Sequence, residues 1–239
     1  MIVGNYGSGK TEVAVNLALY LRQGGYPVRI ADLDVVNPYF RCREPKELMQ
    51  EAGIRVVVPP GVKRYADLPI VVPEIRGMVQ SAGTAGGYSI FDVGGDDVGA
   101  TMLSSLVEPL GARPYGLLLV INSRRPFTDT AAGCLDMKAA IEKASRLRVT
   151  GLVVNAHLGE ETTSDVILEG YELALEVSAK SGIPIEFVTA MGPLADIAAV
   201  RAIPVPVMRI ERIMLPPWLE RRDSRTGQRR DGVPPVFGF

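Results

Sequence analysis

Cysteine is nearly absent from this chain: Cys42 and Cys134 are its only two, far apart and outside any C-x-x-C pair. A disulfide framework or a cysteine-rich metal site therefore has no footing, and nothing points to an oxidising compartment. Histidine is scarcer still. His157 stands alone, and a lone histidine with no partner in sequence reads as a packing or loop residue rather than a catalyst. Neither sign of charge dominates, with 26 Lys and Arg against 27 Asp and Glu and a net charge of −1. No overall field is available to hold nucleic acid, so that partner class is not indicated. No apolar run approaches the ~18 residues of a membrane span. Met1 leads straight into the first apolar run without a signal-peptide pattern. No membrane is indicated, and a cytoplasmic protein is the expectation.

What is present suits a larger α/β domain. The chain has 239 residues, 47% of them hydrophobic, enough for one sizeable core. Apolar runs alternate with amphipathic stretches. Strands are expected at Met1–Val3, Val28–Ala31, Arg55–Val58, Ser89–Val93, Tyr115–Ile121, Gly151–Val154 and Ile185–Thr189, with a weaker eighth at Val205–Ile210. Helices are expected at Lys10–Arg22, Glu44–Ala52, Val72–Ser81, Thr101–Leu110, Asp129–Ser145, Ser164–Ser181 and Pro193–Ala199. Strands without clean polar alternation, separated by helices, imply three layers: a mostly parallel sheet of seven or eight strands with helices on both faces. Right-handed crossovers then bring the strand C-terminal ends to one edge, where ligands bind. From Leu215 onward, prolines and an arginine-rich stretch deny regular structure. The expectation is a domain over 1–214 and an irregular tail over 215–239. Only three residues precede Gly4, which makes the first strand short.

The most specific pattern is Gly4-Asn5-Tyr6-Gly7-Ser8-Gly9-Lys10-Thr11, a full match to the phosphate-loop pattern G-x-x-x-x-G-K-[ST], set between a strand and a helix. Gly4, Gly7 and Gly9 let the backbone curl into a nest of N–H groups. The next helix adds the positive end of its dipole. Lys10 supplies a charge for the outer phosphates, and the Thr11 hydroxyl suits Mg²⁺. The candidate nucleotide-binding set thus runs over Gly4, Asn5, Gly7, Ser8, Gly9, Lys10, Thr11 and Glu12.

Later strands also end in polar clusters. Asp32 and Asp34 follow the second strand, where a carboxylate can hold an attacking water or Mg²⁺; the lesser alternative is that they begin a turn. The fourth strand ends in Asp92, a candidate for the metal shell, followed by Gly94-Gly95. The sixth ends in Asn155, whose amide both donates and accepts and suits a purine edge. The N-K-x-D pattern of G proteins is absent here, which argues for adenine. Arg124 and Arg125, after the fifth strand, read equally as phosphate ligands or as solvated loop.

On these motifs the chain resembles the MinD/ParA group of P-loop ATPases, which also takes in cobyrinic acid synthases and iron–sulfur carrier ATPases. The resemblance rests on Gly4–Thr11, Asp32-Leu33-Asp34, Asp92 with Gly94-Gly95, and Asn155, and spans roughly 1–210. It implies a slow Mg²⁺-dependent ATPase working as a conformational switch, with ATP and ADP as ligands. In that reading Lys10 and Asp34 are catalytic, and Thr11, Asp34 and Asp92 serve the metal. Met191 and Pro193 would lie near the base. A client protein or a nucleotide-dependent homodimer would be the partner. The cobyrinic acid synthase branch implies a second reading, an ATP-dependent ligase or kinase acting on a small acid, with Asn37, Tyr39, Arg41 and Arg43 lining its pocket. A third is a nucleotide-gated docking module without turnover. One departure stands out: Asn5 occupies the position of the family's early lysine, which reaches a partner's nucleotide. Either no nucleotide-sandwich dimer forms, or another cation such as Arg41 or Arg43 substitutes.

Overall fold

The computed structural model describes residues 1–34, 46–57, 73–81, 86–95 and 97–213. Asn37, Tyr39, Arg41, Arg43 and the expected tail lie outside them. Eight strands form one sheet: β1 Ile2–Gly4, β2 Val28–Leu33, β3 Arg55–Val57, β4 Tyr88–Val93, β5 Leu118–Ile121, β6 Gly151–Val154, β7 Ile185–Met191 and β8 Val207–Ile210. Their order is β3-β2-β4-β1-β5-β6-β7-β8, and every pair is parallel. The helices are α1 Lys10–Gln23, α2 Lys46–Glu51, α3 Pro73–Gln80, α4 Asp97–Ser104, α5 Val107–Leu110, α6 Ala131–Ser145, α7 Ser164–Ser181 and α8 Ala198–Arg201.

Period-2 alternation splits the apolar side chains between two faces. Ile2, Ile30, Ile90, Val120 and Val153 pack with Val13, Ala14 and Ala18 of α1 and Met49 of α2. Val3, Ala31, Phe91, Leu119 and Leu152 pack with Ile75 and Met78 of α3, Leu103, and Cys134 and Ile141 of α6. Over β6 and β7, Val154, Val188 and Ala190 pack with Ile167, Tyr171 and Ala174 of α7. The three layers expected from sequence are therefore present, with the eighth strand included.

Three expected elements differ. The single helix over Thr101–Leu110 is two, α4 and α5. Ser104 Oγ and Ser105 Oγ donate to the carbonyls of Thr101 and Met102 at 2.7 and 2.5 Å, and such back-bonding competes with the helix ladder. The fifth strand starts at Leu118 rather than Tyr115, because the Leu117 amide donates to Thr150 Oγ1 instead of a neighbouring strand. The helix over Pro193–Ala199 is a 3-10 turn, Gly192–Asp196, and then α8, parted by extended Ile197.

The long helices also begin differently. The N-cap hydroxyls Thr130 Oγ1 and Thr163 Oγ1 accept from Gly133 and Val166 amides at 3.2 and 3.4 Å, closing the starts of α6 and α7. At α1 the N-cap is Gly9, with no side-chain cap. The first-turn N–H groups of α1 thus point toward whatever the preceding loop encloses.

Candidate nucleotide-binding site

The loop Gly4–Thr11 leaves β1 in mid-sheet, between β4 and β5, and is braced from several sides. Asn5 Nδ2 donates to the Pro126 carbonyl at 2.7 Å, and Asn5 Oδ1 accepts from the Tyr6 amide at 2.8 Å. Arg125 Nε donates to the Gly7 carbonyl at 3.1 Å. Asn155 Nδ2 donates to the Ser8 carbonyl at 2.7 Å, while Asn155 Oδ1 accepts from Thr189 Oγ1 at 2.5 Å. Gly9 has φ +86, and a Cβ there would overlap the Asn155 amide. A side chain at Gly9 is barred both by backbone conformation and by space.

Lys10 is buried, and its ammonium donates to the Asn5 carbonyl at 3.0 Å, inside the curl of the loop. The exit of β4 passes directly over it: a Cβ on Gly95 would stand 2.8 Å from Lys10 Nζ and 2.7 Å from the Tyr6 amide nitrogen. Only glycine permits that approach.

Asp32 and Asp92 are register partners on adjacent strands. They share the alternation of Ile30 and Ile90, so they face the α1 layer where Lys10 and Thr11 begin the helix. Asp34 follows two residues on, its amide bonded to Asp32 Oδ1 at 3.0 Å. Asp92 is fully buried, and neither carboxylate oxygen has a hydrogen-bond partner of normal geometry. Burial and then the Asp32 charge push its pKa up to about 8, against the opposing pull of the Thr11 hydroxyl and Lys10. A buried carboxylate with open oxygens beside a threonine hydroxyl fits Mg²⁺. Among the described residues no cluster of three or more His, Cys, Asp or Glu could cage a metal alone. That also suits Mg²⁺, which takes few protein carboxylates and fills its shell from phosphate and water.

A cavity of about 460 Å³ opens from the loop toward the ends of β6, β7 and β8. Lys10, Thr11 and Asp34 line one part; Asn155, His157, Leu158, Met191, Ile210 and Arg212 line others. Its volume suits a nucleotide-sized ligand. Glu12 also lines it, but its carboxylate accepts from the Ile213 amide at 2.6 Å. Gly4, Asn5 and Ser8 do not line the cavity and shape the loop from behind. Pro193 is exposed in the 3-10 turn, outside the lining.

The two arginines after β5 part company. Arg124 pairs with Glu169 of α7, whereas Arg125 lines the cavity and holds Gly7. His157 is held at its backbone by Asn122, whose Oδ1 accepts from the His157 amide at 3.2 Å. Its imidazole accepts from the Gly159 amide at 3.4 Å. Burial, then the Arg125 and Arg212 charges, lower its pKa to about 4. It is the chain's only histidine, so its resonance is unambiguous. An NMR titration should show the imidazole staying neutral down to about pH 4; a midpoint near the ordinary 6.5 would contradict this environment.

Sequence reasoning missed Thr189, Arg212 and the clasp between Asn16 and Glu211. Asn16 Nδ2 donates to the Glu211 carbonyl at 3.0 Å, and the Glu211 amide donates back to Asn16 Oδ1 at 2.9 Å. An asparagine set among the apolar residues Val13 to Ala18 of the expected helix is the one sequence signal that could have flagged it, and in the fold it is buried.

A glycine-rich loop at the central strand of a parallel sheet, opening an uncapped helix, defines a P-loop nucleotide-binding α/β domain. Residues 3–184 match the family described as the CobQ/CobB/MinD/ParA nucleotide binding domain, and the chain belongs to that family. Several solved structures share the fold. FtsY from Mycoplasma mycoides is 19% identical, with a TM-score of 0.54 over 79% of this chain and 59% of that one. Chloroplast FtsY from Physcomitrella patens is 19% identical, with a TM-score of 0.53 over 78% of this chain and 56% of that one. The signal recognition particle 54 kDa protein from Aeropyrum pernix K1, in complex with GDP, is 22% identical, with a TM-score of 0.51 over 78% and 39%. This chain thus spans less than two thirds of each, and the likeness is one of fold. No curated protein matches the chain. No helix among the described residues is long and apolar enough to cross a membrane.

Proposed function

We propose that this protein is a cytoplasmic Mg²⁺-dependent ATPase that works as a nucleotide-driven conformational switch. The observation that carries the reading is the buried Lys10 inside a braced phosphate loop, with the open carboxylate of Asp92 behind it and Asp34 at the cavity wall. Lys10 and the α1 N-terminus hold the outer phosphates. Thr11 and Asp92, with Asp34 near them, would hold Mg²⁺, which when bound neutralises phosphate charge. Asp34 orients the attacking water. The close passage of Gly95 over Lys10 supports a switch, because the β4 exit meets the terminal phosphate's own ligand.

Adenine is the proposed base, on the strength of Asn155 without a following Lys-x-Asp. Asn155 spends one donor and one acceptor on Ser8 and Thr189, which leaves one of each for a base edge. The test is phosphate release by purified protein with Mg²⁺ and ATP or GTP. Slow release from ATP without added metabolite is expected. Tighter binding and faster release with GTP would overturn the base assignment. Strict dependence on a small acid would replace the switch with a ligase or kinase. Intact ATP after prolonged incubation, with a partner captured, would replace it with a docking module.

A further inference from the structure

After β8 the chain bends back across the cavity toward α1. Its backbone there is fixed at two points: Glu211 by the reciprocal bonds to Asn16, and Ile213 by the bond from its amide to Glu12 Oε1. Arg212 sits between these anchors, lines the cavity, and places Nη1 3.3 Å from Glu160 Oε1. Glu160 belongs to the loop after β6, whose Leu158, Gly159 and Thr162 line the same cavity. The ion pair therefore joins two walls.

Sheet order tells which part of a nucleotide lies there. The outer-phosphate end is marked by Lys10 under the exit of β4, on one side of β1. β6, β7 and β8 lie on the other side, so the part of the ligand remote from the outer phosphates extends over them. Ile210, Met191 and Ile167 line the cavity and offer an apolar surface to a flat ring. Glu160 engages one nitrogen of the Arg212 guanidinium, which leaves its planar faces as well as its other N–H groups for a ligand.

We propose that Arg212 is a specificity-determining residue of this site: its guanidinium plane packs on the face of the nucleobase, held in position by Glu160. The proposal rests on the nucleotide-binding reading above. Face packing is indifferent to the base edge, so it favours nucleotides over base-free polyphosphates rather than ATP over GTP. The anchors of residues 211 and 213 are backbone groups, and substitution of the Arg212 side chain leaves them in place.

The test is calorimetric titration of wild type, Arg212→Ala, Arg212→Lys and Lys10→Ala with ATP, GTP and inorganic tripolyphosphate. Arg212→Ala should weaken ATP and GTP alike, by about tenfold, and leave tripolyphosphate binding unchanged. Arg212→Lys keeps the charge without the plane and should recover only part of the loss. An equal loss for tripolyphosphate would place Arg212 on the phosphates or in folding and overturn the proposal. So would full rescue by lysine, or no loss at all. Lys10→Ala should weaken all three ligands; retention of tripolyphosphate there would count against the loop reading, not against Arg212.

Discussion

Replacing Lys10 with alanine should cut ATP affinity by roughly 10- to 100-fold, since a charge-assisted hydrogen bond contributes about 1.5–3 kcal/mol. Phosphate release should fall further, by about 100- to 1,000-fold, because charge builds on the phosphoryl oxygens in the transition state. The effect is large because Lys10 does not lie on the surface. It is buried, aimed into the loop by the Asn5 carbonyl, and roofed by Gly95. The fold should persist, since the core over β1 is built from Ile2, Val13, Ala14 and Val120 rather than from the lysine. Calorimetry, a phosphate assay and far-UV circular dichroism check the three parts. Unchanged affinity in a folded variant would remove the loop from the mechanism.

Asp92→Asn should act in two opposite directions, on stability and on turnover. With its folded pKa near 8, well above the ordinary carboxylate value, Asp92 holds a proton in the native state that the unfolded chain has already released. Stability from this group is complete at acid pH and is lost as pH rises from about 4 to about 8. Metal-free wild type should therefore melt at lower temperature at pH 8 than at pH 5. Asparagine cannot ionise, so the variant should lose that slope and be the more stable protein at pH 8. A gain on the order of 2 kcal/mol would raise Tm by about 4–8 °C for a domain of this size. The same substitution removes the carboxylate beside Thr11, and Mg²⁺-dependent phosphate release should drop by at least about 100-fold. Thermal melts in EDTA at both pH values, with the phosphate assay, read both arms. An unaltered pH slope in the variant would mean that Asp92 is not the group responsible.

Much of this architecture was written in local pattern. Each β strand falls within a few residues of its apolar run, and the match at Gly4–Thr11 lies in the loop between β1 and α1, as its pattern implies. The carboxylates were legible for a reason that can be stated. Ile30, Asp32 and Asp34, and likewise Ile90 and Asp92, keep one parity, so a reader who places the strands also places the acids on the α1 face. The same rule carries Val153 to Asn155, which reaches the underside of the loop. What escaped depends on register between distant segments. Thr189 meets Asn155 only because β7 lies beside β6, and Glu211 meets Asn16 across 195 positions of chain. In sequence Asn155 reads as a reader of bases; in the structure its amide supports the loop. The Ser104-Ser105 break between α4 and α5 hinges on side-chain hydroxyls choosing helix carbonyls, a competition that periodicity does not register.

Asn5 ties the phosphate loop to the Pro126 carbonyl, and Arg125 and Asn155 hold its Gly7 and Ser8 carbonyls, all from the exits of β5 and β6 on one side of β1. The entropic toll of bending that backbone is met during folding and does not recur at each encounter. Arriving ligand then finds a finished shape, and its capture rate is set by diffusion and charge steering. The lifetime of the complex is then set by the contacts made after capture.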